Sequence, residues 1–270
     1  MSDPVTIYGF PDECQKFVER HPLWQEAMSN LGHAVNIAFS RVEIMEGEVD
    51  KLIYFLGRIC AEDFMEIALI CYHGYGIAAA KLLRTMYEHS VTLRYLHEHP
   101  DEVPKFIAYG RVQNDKLANR LLETFGDILP AEDVARIKRN AAEVKEDFMI
   151  PECDHPGAKM RLNHSWSRLD FVAMAQKTGD LGKLIISGYY MPLRHAHASF
   201  AGVTERLEMV GDTMAPIVES DPKLIDRSLM TAHVCLVDAI RVQEERFKLE
   251  GLAEALQICK QDFGRVWVSG

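Results

Sequence analysis

Leu82, Met86, His89, Leu93 and Leu96 recur at steps of four and three, the spacing that lines up side chains on one face of an α-helix. The same periodicity runs along most of the chain. It predicts helices over residues 22–46 (Leu23, Ala27, Leu31, Ala34, Ile37 and Ala38 apolar), over Glu48 to about His73, and over 77–99. Gly74 and Gly76 break the second from the third, and Pro100 stops the third because the residue before a proline resists helical geometry. Asp101 is placed to cap a helix carrying Phe106, Tyr109 and Leu117, and another is expected from Pro130 to about Phe148. A short helix follows within 168–179. A longer one begins near Tyr189, with apolar positions 189, 193, 196, 200, 203 and 207. The segment from Ser220 or Asp221 to Gly251 has a cap, a first-turn Pro222 and a terminal glycine, and a last helix is expected over 252–262. No run alternates as a strand would. The fold class expected is all-α, a single-domain irregular helical bundle over 1–270, with a long loop near 149–166 between two halves that each look incomplete alone.

Composition narrows the classes. Apolar residues make up 48% of the chain, enough for a real core and too many for general disorder. The net charge of -10 argues against broad DNA or RNA binding, which depends on neutralising phosphates. The six cysteines form no C-x-x-C pair, and Cys60, Cys71 and Cys235 sit in apolar helical stretches, so they read as buried thiols in a reducing compartment. "MSDPVTIYGFPDE" has no basic-then-apolar order, so no signal peptide is expected. No apolar run approaches the ~20 residues that cross a bilayer. A cytoplasmic protein without a membrane partner is expected.

Two polar clusters are candidates for chemistry. In "YYMPLRHAHASFAG", residues 189–202, helical spacing puts Tyr190, Arg194 and His197 on one stripe and His195, Ser199 and Gly202 on another. Pro192 sets the helix start just before it, so His197 falls in the first two turns, where the helix dipole favours a neutral imidazole and an anionic guest. The alternative is a polar helix start at an interface. In the third helix, Lys81, Arg84, Glu88 and Thr92 form a narrow polar stripe, and Arg84 and Glu88 can pair at i,i+4. Either the pair lines a cavity or it is exposed and contributes only ~0.3–0.5 kcal/mol.

Other chemistries find less. The sole Glu-x-x-His, Glu152–His155, lies in "PECDHPG", where Glu152, Cys153, Asp154 and His155 are too close in sequence to enclose one tetrahedral ion, so no metal is expected. "GYGIAAAK" lacks the strand and spacing of a nucleotide loop. Ser199 and His197 do not face each other as a triad requires. His233 lies among apolar residues and reads as a core histidine. The sequence names no cofactor.

"LLRTMYEHSVTLRYL", "HSWSRLDFVAMAQKTG" and "YYMPLRHAHAS" together resemble an uncharacterised bacterial helical family, a domain of unknown function, over about 80–200. Its pattern joins an Arg-x-x-x-Glu helix, a Trp before a short helix ending in Lys-x-Gly, and tyrosines leading to a His-Ala/Gly-Ser signature. The resemblance points to Arg84, Glu88, Trp166, Tyr190, His197 and Ser199. Proteins of this general type resemble the HEPN nucleases, whose motif is an arginine followed after four to six residues by a histidine. Arg84–His89, Arg94–His99 and Arg227–His233 all have that spacing, so it selects none of them.

The expectation is therefore a polar pocket shared by two helices. Arg84 would hold an anionic group, Glu88 would orient Arg84 or His197, and His197 would be donor or general base, with Arg194, Tyr190, Ser199 and Trp166 as ligand-binding residues. The function expected is action on, or sensing of, a phosphorylated ligand, with RNA or a nucleotide-like molecule as partner and an RNA-cleaving toxin or phage-defence effector as the specific form. The alternative is a non-catalytic binding or assembly module, and the long amphipathic helices leave room for a homodimer.

Overall fold

Asp221 and Pro222 begin the longest helix as their chemistry requires. The computed structural model describes residues 10, 12–40, 45–153, 155, 157–217 and 219–268. In it the Asp221 carboxylate accepts the Leu224 amide at 3.0 Å, and Pro222 sits in the first turn, where a missing N–H costs nothing. In chain order the elements are α1 (Glu13–Arg20), α2 (Trp24–Phe39), α3 (Glu48–Tyr72), α4 (Gly76–Glu98), α5 (Val103–Phe125) and α6 (Ala131–Lys145). The hairpin β1 (Met149–Pro151) and β2 (Met160–Leu162) follows, then α7 (Phe171–Gln176), α8 (Met191–Ala196) and α9 (Phe200–Thr204). The chain closes with β3 (Leu207–Val210), β4 (Thr213–Pro216), α10 (Pro222–Phe247) and α11 (Leu252–Trp267). The protein is all-α, with two small antiparallel hairpins added.

The described chain divides into two compact units. One holds residues up to Glu98 together with Phe171 onward, and the other holds His99–Asp170. In the first, α3, α4 and α10 pack on one another, and α2 packs on α11. Ile53, Cys60, Phe64 and Ile67 of α3 meet Leu83, Met86, Tyr87 and Val91 of α4 and Ile225, Leu229, Ala232 and Leu236 of α10, all essentially inaccessible to water. Gly57 marks a close approach: a Cβ there would lie 2.4 Å from Gln243 Nε2, whose amide donates to Ile53 O at 3.1 Å.

An ion pair is carried inside this core. Arg94 donates from Nε and Nη2 to the Asp238 carboxylate at 3.1 and 3.0 Å, and from Nη1 to Glu245 at 2.6 Å. Burial works against the Arg94 cation, but these carboxylates outweigh it and hold the guanidinium pKa above its ordinary value. Cys60 and Cys71 are buried, and burial pushes each thiol up to about 12, so neither is a nucleophile.

The second unit packs α5 on α6, with β1 paired to β2 in the register Met149↔Leu162, Ile150↔Arg161, Pro151↔Met160. Tyr109, Val112 and Phe148 form its core, with Val144, Leu162 and Trp166 packed around them.

Several expected boundaries move. The segment 149–166 is not wholly irregular, because it supplies both strands of the first hairpin. The helix expected from Tyr189 through 207 stops at Ala196, and residues 207–216 form the second hairpin, closed by a two-residue Gly211–Asp212 loop with Gly211 at φ +61°. Asp101 caps nothing; it lies in a 3-10 turn, Pro100–Glu102, that leads into α5. α10 ends at Phe247, with Lys248 left-handed. Gly251 instead precedes α11, which runs on to Trp267. α2 ends at Phe39, and residues 41–44, which the expected helix would include, lie outside the described residues. Most of the N-terminal stretch read for a signal peptide, and Asp154 of the acidic loop, also lie outside them. Among the described residues no helix is long and apolar enough to cross a membrane.

Candidate functional site

Arg84 and Glu88 stand one turn apart on α4, and the guanidinium Nε donates to Glu88 Oε1 at 3.0 Å. The other two nitrogens reach residues about a hundred positions away. Nη1 lies 3.2 Å from His197 Nε2, and Nη2 donates to the Tyr189 hydroxyl at 3.3 Å. The guanidinium carbon is also 4.6 Å from the Tyr189 ring centroid, a cation–π contact. Arginine has no acceptor, so His197 Nε2 must accept and the ring proton must sit on Nδ1. The Arg84 side chain is 19% exposed and Glu88 42%, while His197 lies at the surface. The cation is thus half-sheltered and the imidazole is open to a guest.

Local sequence explains how the second segment arrives there. From Leu181 the chain runs as a 3-10 turn, then a π turn over Ile186–Tyr190, then α8. A π turn holds an extra residue per repeat and shifts the phase of the side chains that follow it. Tyr189 therefore faces Arg84, and Tyr190 is left 43% exposed with its ring edge against Tyr189. The ring of Tyr189 rests at 4.7 Å on Phe171, which meets Tyr87 edge-on. Gly188 allows this packing, since a Cβ there would lie 2.6 Å from the Tyr87 ring.

His197 is the residue after α8 and is extended, at φ -116° and ψ 154°. It does not lie in a first turn; it ends the helix, so the dipole argument that placed an anion there is reversed. Because helical spacing lapses at Ala196, Arg194 and His197 do not share a face. Arg194 is ion-paired with Glu205, and His195 Nε2 lies 3.4 Å from the same carboxylate. Burial lowers the His195 pKa, and Glu205 only partly opposes it. Ser199 caps α9: its hydroxyl accepts the Gly202 amide at 3.0 Å and donates to Arg194 O at 3.2 Å. Its hydroxyl is spent on shaping the bend that delivers His197. Trp166 belongs to the second unit, where its ring meets Phe106 at 5.3 Å.

Arg84 and His89 hold different partners, and so do Arg227 and His233. Arg84 is bound as described, whereas His89 Nδ1 lies 2.8 Å from Asp63 on α3. Arg227 donates to Met191 Sδ, while His233 is buried and accepts from Trp267 Nε1 at 3.1 Å. Burial takes the His233 pKa down to about 4. Among the described residues no three His, Cys, Asp or Glu side chains are grouped as metal ligands.

Of the expected residues, then, Arg84, Glu88 and His197 meet, Arg194 and Ser199 bond elsewhere, and Tyr190 touches the group through Tyr189. Tyr189 joins them, and sequence reasoning assigned it to an apolar stripe. Its only signal was the adjacent tyrosine, one position out of phase. A family model described as a family of unknown function, DUF5677, matches residues 50–214, a span that includes all four meeting residues. No curated protein and no solved structure matches the chain.

Proposed function

The chain belongs to the DUF5677 family of unknown function, and we propose that its Arg84–His197 pair recognises a phosphodiester and cleaves single-stranded RNA in the cytoplasm. One observation carries the reading. A guanidinium and an imidazole, 113 residues apart in sequence, lie 3.2 Å apart where a polymer can reach them. An incoming phosphate takes over Nη1 and frees His197 Nε2. That nitrogen accepts the proton of the ribose 2′-hydroxyl as its oxygen attacks phosphorus. Arg84 neutralises the charge that builds on the phosphoryl oxygens, and the 5′-oxygen leaves with a proton from water. The imidazolium returns its proton to solvent. Glu88 and Tyr189 hold the guanidinium in place. The net charge of -10 confines recognition to this local contact.

The test is cleavage of a fluorogenic single-stranded RNA by the wild type, His197→Ala and Arg84→Ala, each with its circular dichroism spectrum recorded. Loss of at least about a hundredfold in rate with unchanged helicity is expected for both variants. Wild-type protein that leaves the RNA intact contradicts the reading.

A second reading, a non-catalytic binding or assembly module, draws on a different observation: Nε, Nη1 and Nη2 of Arg84 each already hold a partner. The exposed Phe55, Ile59 and Leu69 on α3 would then suit a second copy of the chain. In that case His197→Ala lowers thermal stability and changes nothing else.

A further inference from the structure

A cleft of about 500 Å³ opens in the first unit between the α3–α4 break, α8 and the start of α10. That volume is typical of small-molecule sites. Neither Arg84 nor His197 lines it, so it is separate from the site above.

Its wall combines two chemistries. Tyr75, Ile77, Leu83, Met191 and Leu224 supply apolar surface, and Phe10 braces Tyr75 edge-on at 5.5 Å. Tyr75 remains 41% exposed, so part of its surface is uncovered. Against these stand Arg206, Lys223 and Arg227. Among the described residues, none of the three has a carboxylate oxygen within 4.0 Å, although Arg194 in the same wall is paired with Glu205. Among the described residues Arg227 makes one hydrogen bond, to Met191 Sδ at 3.6 Å, and a thioether is a weak acceptor.

Three acids also line the cleft: Glu205 is taken by Arg194, the Asp221 carboxylate caps α10, and Glu219 is the third. Three unpaired cations around one hollow, in a chain of net charge -10, mark a place built for an anion. Their number suits a dianion better than a single carboxylate. His195 adds a second sign of an absent partner. Its side chain is 10% exposed, and its Nδ1 is buried without a partner among the described residues.

We propose that this cleft binds a small aromatic phosphate monoester, its dianion held by Arg206, Lys223 and Arg227 and its ring laid against Tyr75 and Leu224. Titration calorimetry with 1-naphthyl phosphate, inorganic phosphate and 1-naphthol separates the two halves of the recognition. The monoester is expected to bind saturably at one site, at least tenfold tighter than either fragment. Arg227 is exposed, so Arg227→Ala keeps the fold and weakens the monoester about tenfold. Ala78, half-buried in the wall, becomes a plug in Ala78→Phe, which abolishes binding with every cation still present. Arg84→Ala leaves binding unchanged. No saturable binding, equal affinity for inorganic phosphate, or indifference to both Arg227→Ala and Ala78→Phe overturns the proposal. Loss of binding in Arg84→Ala does so too, by moving the ligand to the other site. The RNA-cleavage reading can fail without touching any of these results.

Discussion

Asp238 shows what a single residue holds in this molecule. Its carboxylate is 4% exposed and takes two hydrogen bonds from Arg94, itself 8% exposed. Asp238→Ala would leave a buried cation with one remaining strong partner, Glu245. A loss of about 3 kcal/mol in urea denaturation is expected, and a loss below about 1 kcal/mol would contradict the account. At the candidate site, Tyr189→Phe keeps the ring under Arg84 and removes one acceptor. A fall in stability of about 1 kcal/mol is expected, with RNA cleavage reduced less than in His197→Ala. The residue scale was partly legible beforehand. Arg84 and Glu88 were readable because an i,i+4 charged pair on an apolar helix must find partners, and His197 because it stands in a polar cluster with Arg194, His195 and Ser199. Tyr189 was not readable, since the π turn that rotates it toward Arg84 leaves no mark in a 3.6-residue pattern.

At the scale of elements, helix existence was plain in the periodicity and helix ends were not. α3, α4 and α10 fall within a few residues of their expected spans, because their apolar stripes are long and their ends carry glycine, proline or a capping carboxylate. The stretch 189–207 kept an apolar period across a real break. Ser199 competes there for backbone partners and starts a new helix, and Gly202 permits the fold-back. A Cβ at Gly202 would lie 2.3 Å from Arg194 O, which is backbone and cannot yield easily. Gly202→Ala is therefore expected to lower the melting temperature and to displace His197, so that RNA cleavage falls along with it. Unaltered cleavage and melting would show that the bend does not set the site. Between long helices, Gly57→Ala places a methyl group against the Gln243 amide and should cost about 1–3 kcal/mol, read from the urea midpoint.

For the molecule as a whole, acid is the informative variable. His233 is held neutral in the core with a pKa of about 4, below the ordinary value of 6.5. The unfolded chain thus binds a proton that the folded chain refuses between those values, and stability rises with pH through that window. Acidification from about pH 6.5 to 4 should remove about 3 kcal/mol through this group alone. Burial depresses His97 and His195 in the same direction and so adds to the loss. Melting temperature followed against pH checks this. His233→Phe should flatten the acid limb, and an unchanged limb would assign the effect elsewhere. The all-α class and the buried core were legible from the apolar period. The division into a first unit drawn from both ends of the chain and a second unit from 99–170 was not, because periodicity says which face is buried and not which elements share a core.

The pairing of Arg84 with His197 is most directly tested by the imidazole nitrogens themselves. In nitrogen-15 spectra of protein labelled at histidine, titration with a short non-cleavable single-stranded RNA analogue should move the His197 Nε2 signal saturably. The same titration of Arg84→Ala should leave it unmoved. A His197 signal that stays fixed in the wild type while the analogue binds elsewhere, or fails to bind at all, contradicts the account.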